Sequence, residues 1–360
     1  MAPDPAAFAD LLVGYCLDVQ PQQQVLVRST SLAAPLLIEL QRAILAADAW
    51  PTMRIEVPGQ ARAFYDHAKE WQLEEVAPLA LHEAKKCERV LGIQAPDDVR
   101  ELAGVDPDRL LRARRARKPI QDQTMRKRWC STLWPTPSLA AASGLELEEY
   151  ADFVAQALFL DRPEGPVRAW QELGAFQAQL AKRLEKASTI RVEADGTDVT
   201  LTTKGRSWVN SDGKRNMPSG EVFTGPREDS ASGRIRFTVP SSPAGVEVHG
   251  VELELRDGEV LTARADEGQE YLDRALSTDD GARRIGELGI GTNYGIDRPT
   301  GTILLDEKMG GTVHLALGRA YPETGGTNES ALHWDLICDL RSGGRITVDG
   351  ELLQEDGRFL

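Results

Sequence analysis

Cysteine is scarce in this 360-residue chain. The four residues Cys16, Cys87, Cys130 and Cys338 lie far apart and form no Cys-x-x-Cys pair. That spacing excludes zinc-finger and dithiol redox motifs, and a disulfide framework is implausible at this length. The four read as reduced, buried thiols. No run approaches the ~20 apolar residues needed to span a bilayer. Residues 1–17 contain Asp4 and Asp10 but nothing basic, the wrong pattern for a secretory signal, so a cytoplasmic location is expected. Positive charge is also short. The formal net charge is −14, which disfavours nucleic acid and anionic membranes as partners. One basic run departs from this: Arg109, Arg112, Arg114, Arg115, Arg117 and Lys118, then Arg126, Lys127 and Arg128. With no aromatic platform in the first cluster, it reads as a solvated helix face followed by a loop. No strand end bears the glycine-rich fingerprint that a nucleotide-binding Rossmann fold requires.

What remains is an ordinary globular composition. Hydrophobic residues make up 41% and charged residues 27%, which excludes wholesale disorder. The length is beyond that at which one core stops growing, so two domains are expected. In the first half, helix and strand patterns alternate. Residues 8–17 and 33–47 have apolar side chains at helical spacing; 24–28, 53–57 and 90–93 read as short buried strands. This alternation predicts an α/β domain with a mainly parallel sheet over residues 1–187. Residues 150–186 read as two helices interrupted by Pro163, Gly165 and Pro166. From Thr189 on, β-branched residues, alternation and Asp-Gly turns dominate. Residues 190–203 around Asp195-Gly196, and 246–263 around Asp257-Gly258, read as hairpins. Residues 188–360 are therefore expected to form a β-rich, α+β domain that carries the functional site.

Histidine is nearly as scarce as cysteine, with five residues, and two of them keep unusual company. His314 lies inside an apolar strand pattern just after Gly310-Gly311. A buried imidazole needs partners for both nitrogens, from backbone groups or from a metal and a second bond. His333-Trp334-Asp335 places an imidazole and a carboxylate at i and i+2, on one face of a strand, a common way to offer N and O ligands to a divalent metal. Glu221 follows the turn Asn216-Met217-Pro218-Ser219-Gly220 and leads into an apolar strand. Glu287 lies in Gly286-Glu287-Leu288-Gly289-Ile290-Gly291, where flanking glycines suggest close approach to a ligand. Either glutamate, taken singly, reads more often as an exposed strand-end carboxylate. Together the five offer three carboxylates and two imidazoles. That set suits two divalent ions ~3.5–4 Å apart with one bridging carboxylate, and its mixed O and N donors favour zinc, cobalt or manganese.

These segments resemble the aminopeptidase T / aminopeptidase S family of thermophilic-type two-metal aminopeptidases. The likeness rests on NMPSGEVFTGPRED (216–229), GELGIGTN (286–293), LLDEKMGGTVHLALGRAYPETGG (304–326) and NESALHWDLI (328–337), in that order. DLLVGYCLDVQPQQQVLVRST and RWCSTLWPT, earlier in the chain, extend it over nearly the whole length. The resemblance implies metal ligation by Glu221, Glu287, His314, His333 and Asp335, with Glu287 as the bridge. It places Glu307 beside the metals as a ligand or general base. It places Tyr321 there as well, where its phenol would stabilise the oxyanion. It implies a homodimer acting on peptides with a free N-terminus. Two other readings compete. His-x-Asp with a distant histidine is also the facial triad of non-haem iron oxygenases, although Glu221 and Glu287 would then have no role. A catalytically decayed binding protein is the other.

Overall fold

The structure, a computed structural model, describes residues 3–360. The chain divides into two compact units. One comprises residues 1–169 with 213–218, the other 170–212 with 219–360.

In the first unit, apolar runs form the inner strands of the sheet, while the edge strand Trp50–Glu56 stays largely exposed. Gln24–Thr30, with Val25, Leu26 and Val27 buried, lies between Trp50–Glu56 and Arg89–Gln94. Arg128–Leu133 and then Asn216–Met217 complete the sheet, and every pairing is parallel. Such strands read as continuous hydrophobic stretches, not alternating ones. Helices including Ala34–Ala46, Pro78–Lys86 and Pro107–Met125 connect them. The expected 8–17 helix is in fact Pro5–Asp10 followed by a π-helical stretch, Leu11–Cys16.

The basic run needs one correction. Its first cluster lies on the Pro107–Met125 helix, and Arg109 and Arg112 pair with Glu70. Arg126 and Lys127 lie in the expected loop after that helix, but Arg128 opens an inner strand of the sheet. The Arg128 guanidinium donates to the carbonyls of Cys16 and Tyr15, which lets a charged residue begin a buried strand.

The second unit is antiparallel and β-rich, with two sheets. The eight-stranded sheet runs, edge to edge, through Glu259–Arg264, Glu252–Arg256, Ser232–Arg236, Thr197–Thr202, Thr189–Ala194, Arg345–Val348, Glu351–Glu355 and Arg358–Phe359. The five-stranded sheet runs His333–Asp339, Thr312–Gly318, Ile285–Gly291, Glu221–Thr224, Val209–Ser211. Asp195-Gly196 and Asp257-Gly258 make the two-residue hairpin turns. Asp257 and Gly258 both have positive φ, the conformation that matches strand twist. The second hairpin is shorter than its sequence suggests. Its first strand is Glu252–Arg256 instead of 246–255, because Gly250 at φ +58° turns the chain out of extended geometry. Leu180 and Leu184 of the Pro166–Leu184 helix, Val192 and Leu253 of one sheet, and Leu288, Val313 and Leu336 of the other share one hydrophobic core. All four cysteines are free and buried.

Candidate metal centre

The five-stranded sheet places the centre by register alone. Glu221 is paired with Gly291. Phe223 is paired with Gly289, which is paired in turn with His314. Glu287 is paired with Ala316, which is paired with Asp335, and Gly318 is paired with His333. Side chains alternate along each strand, so Glu221, Glu287, His314, His333 and Asp335 all project from one face. Their neighbours Val222, Leu288, Ile290, Val313, Leu315, Leu317, Trp334 and Leu336 project from the other and fill the core. The five come from four strands spread over more than a hundred positions of sequence, and the sheet brings all of them together.

Small residues make room between them. Ala316 separates Glu287 from Asp335 across the sheet. At Gly289 a β-carbon would lie 2.1 Å from Nε2 and Cε1 of His314, so the imidazole lies flat across the glycine. The glycine-flanked glutamate pattern thus marks a close approach, that of the His314 ring to Gly289. Gly220, at φ +115°, would place a β-carbon 2.6 Å from Cβ of Asn293. Asn293 also donates to the Ser219 carbonyl at 2.9 Å. The turn before Glu221 is therefore fixed by conformation and by contact.

The donor atoms are held at spacings that suit an ion between them. His314 Nε2 is 3.5 Å from Glu221 Oε2 and 3.5 Å from Glu287 Oε1. His333 Nε2 is 3.6 Å from Glu287 Oε2 and 3.5 Å from Asp335 Oδ2. These separations are long for hydrogen bonds. Two ligands each ~2.1 Å from a shared tetrahedral ion stand ~3.4 Å apart. Two trios converge in this way, Glu221–Glu287–His314 and Glu287–His333–Asp335, and Glu287 belongs to both. A third trio, Glu247–His249–Glu267, lies toward the surface and shares no residue with them. Both ring nitrogens of His314 and Oε2 of Glu221 are buried without a hydrogen bond. A buried polar atom without a partner is costly, and a divalent cation among these donors would satisfy Nε2 of His314 and Oε2 of Glu221.

The electrostatics tell the same story. Burial pushes Glu221 up to about 7, with the Glu307 and Glu287 carboxylates adding to the rise against Lys308 and His314. Burial, then the Glu307 carboxylate, lifts Asp335 to about 6. Burial works against a charged His314, yet Glu287, Glu221 and Asp335 outweigh it and hold the imidazole up at about 10. Without metal, then, protons neutralise part of the excess negative charge. Burial raises the Tyr321 phenol above its usual range, and Glu287 and Asp335 raise it further, so it stays an O–H donor.

The two other expected residues are also here. The Tyr321 ring centroid is 5.0 Å from that of His333 and 5.8 Å from that of Phe223. Glu307 stands outside both trios and is ion-paired with the ammonium of Lys308. Lys308 was not legible beforehand. It is fully buried, and its Nζ also lies 3.5 Å from Glu221 Oε1. Its only signal in sequence is a lysine between an acidic pair and an apolar-glycine stretch, a pattern that usually marks a surface. Gln177, also buried, was missed as well. From the Pro166–Leu184 helix it donates to the Glu221 carbonyl at 2.6 Å, a contact no local pattern discloses.

Residues 4–359 match the model of the thermophilic metalloprotease family M29. The chain belongs to this family. It is similar to Aminopeptidase 2 of Geobacillus stearothermophilus, with 30% identity over 96% of this chain and 94% of the relative. The solved structure of wild-type AmpT from Thermus thermophilus superposes with a TM-score of 0.85 at 24% identity, covering 99% of each chain. A 2,5-dihydroxypyridine dioxygenase from Pseudomonas putida KT2440 shares the fold more loosely. Its TM-score is 0.59 at 15% identity, over 99% of this chain and 96% of that one. At such identity both structures speak for the fold alone: a parallel α/β part and an antiparallel β-rich part. The metal chemistry follows from family membership and from the donor set.

Proposed function

We propose that Glu221, Glu287 and His314 hold one divalent ion, that Glu287, His333 and Asp335 hold a second, and that the pair serves removal of the N-terminal residue from peptides. As a member of the M29 family the protein is a metal-dependent aminopeptidase, an exopeptidase hydrolase. The observation that carries the two-ion reading is the Glu287 carboxylate. Its Oε1 faces one histidine and its Oε2 the other, at 3.5 and 3.6 Å.

When bound, the ions supply Lewis acidity, making a nucleophile of water at neutral pH and polarising the scissile carbonyl. The protein's own groups do the rest. His333 Nδ1 donates to the Arg319 carbonyl at 2.8 Å, which leaves Nε2 with a lone pair aimed at Glu287 and Asp335. Glu307, outside both donor trios, is assigned the general base and then the acid that protonates the leaving amine. Lys308 holds it there. Tyr321, protonated throughout the working range, donates to the developing oxyanion.

The mixed oxygen and nitrogen donors suit zinc, cobalt or manganese. Four buried free cysteines suit the reducing cytoplasm, and the family resemblance extends the proposal to a homodimer. A facial-triad oxygenase built on His314, His333 and Asp335 would leave Glu221 and Glu287 without a role, and nothing in the centre favours it. A panel of aminoacyl-nitroanilides and N-acetylated peptides, assayed with added metal, tests the reading. Free amino termini should be required and blocked peptides inert; cleavage of blocked peptides at internal bonds would contradict it.

A further inference from the structure

Tyr321 lies on no strand. It sits in residues 319–332, the connection from Thr312–Gly318 to His333–Asp339. A functional side chain on a loop is placed only as well as its supports hold that loop. The turn after Tyr321 is closed by its own bonds: the Thr324 amide and hydroxyl donate to the Tyr321 carbonyl at 3.0 and 2.6 Å. The turn is then tied to other parts of the unit. The Ser207 amide donates to the Thr324 carbonyl at 3.0 Å. A β-carbon at Gly225 would lie 2.8 Å from the Thr324 hydroxyl, and one at Gly326 would lie 2.5 Å from Cβ of Ala320, so the loop is closely packed there.

A further tie is Glu228, near the end of the 216–229 segment and outside both donor trios. Its Oε1 accepts from the Thr327 amide at 2.7 Å and from the Thr327 hydroxyl at 2.9 Å. Its Oε2 accepts from Arg206 Nη2. Both oxygens are thus engaged, and hydrogen bonds to an ionised carboxylate are about twice as strong as neutral ones. The Arg206 side chain is only 9% exposed. It runs beside Gly325, where a β-carbon would stand 3.6 Å from its Nη1. Burial works against the charge on Glu228, yet the Thr327 amide and hydroxyl and the Arg206 guanidinium hold its carboxyl below the usual range. Glu228 is therefore ionised near neutrality, and its bonds to the loop persist there.

We propose that Glu228, with Arg206, is a positioning pair that clamps the 319–332 connection and so sets where the Tyr321 phenol stands. The inference rests on the role given to Tyr321 above. Misplacing a group at the reacting centre by about 1 Å costs on the order of 100-fold in rate. Releasing the loop should therefore act on kcat and leave ground-state metal binding alone.

A double-mutant cycle on the metal-loaded full chain, assayed with alanyl-nitroanilide, tests it. Glu228→Ala should lower kcat at least about tenfold, with KM and metal content near wild type. In the Tyr321→Phe background the same substitution should change kcat less than about twofold, because the group it positions is already gone. Hydrogen exchange gives a readout apart from turnover. Amides of residues 320–328 should exchange at least about tenfold faster in Glu228→Ala, while the flanking strands keep their protection. Glu228→Ala also leaves the Arg206 charge nearly buried and unpaired, which costs stability. Thr327→Val keeps that ion pair and removes one donor at an exposed position; it carries the same cycle, with a drop of about threefold, should the first variant not fold. With Tyr321→Phe impaired, an unchanged kcat in Glu228→Ala, an equal fall in both backgrounds or a loss of metal would overturn the assignment. Unchanged exchange over 320–328 would overturn it as well. Full turnover in Tyr321→Phe, with faster exchange in Glu228→Ala, would count against the catalytic role of Tyr321 and leave the loop clamp standing.

Discussion

The His314 imidazole lies across Gly289, so close that a β-carbon at 289 would come within 2.1 Å of Nε2. The glycine is on the neighbouring strand, directly opposite the histidine, and its lack of a side chain lets Nε2 reach the carboxylates of Glu221 and Glu287. Gly289→Ala should therefore displace the ring while leaving the strand's outward-facing core residues in place. A support of this kind is typically worth 10- to 100-fold in metal affinity, and a loss on that order is expected by metal titration. Unchanged affinity would show that the ring can move without consequence.

Tyr321 should affect turnover and not metal binding. Its phenol is protonated and its ring packs against His333. A donor that acts only on the developing oxyanion contributes to the transition state. Tyr321→Phe should lower kcat on the order of 10²–10³-fold, with metal content near wild type and KM little changed. Loss of metal in that variant would place Tyr321 among the ligands.

Metal affinity should fall with pH. In the metal-free protein Glu221 titrates at about 7, Asp335 at about 6 and His314 at about 10. All three are raised, so near neutrality the folded centre holds protons that incoming ions must displace. Raising the pH removes those protons and strengthens binding; lowering it does the reverse. From about pH 8 to about pH 6 the apparent affinity should weaken at least about tenfold, with protons released on binding. A flat profile in differently buffered calorimetry, with no proton release, would contradict this.

Much of the centre was legible because β-strands repeat every two residues. His333-x-Asp335 declares a shared face wherever a strand contains it, and the glycines around Glu287 declare a close approach. The Asp-Gly pairs mark turns for a similar local reason. What was hidden is non-local. Nothing in 216–217 announces that Asn216–Met217 joins the sheet of the first unit beside Arg128–Leu133. The Gln177 contact to Glu221 spans 44 positions. A buried Lys308 goes against the usual place of lysine and is tolerated only because Glu221 and Glu307 surround it. The strand expected over 246–255 fails at Gly250 because a single backbone angle, invisible in composition, turns the chain.

The central claim is that Glu287 is shared by two ions. Metal content per chain, measured after reconstitution with zinc, cobalt or manganese, tests it most directly when wild type is set beside single-site variants. Two ions per chain are expected in wild type. His333→Ala should weaken one of the two and leave the Glu221–Glu287–His314 trio able to bind, whereas Glu287→Ala should weaken both. One ion per chain in wild type, or a Glu287→Ala variant that still holds two, would contradict the account.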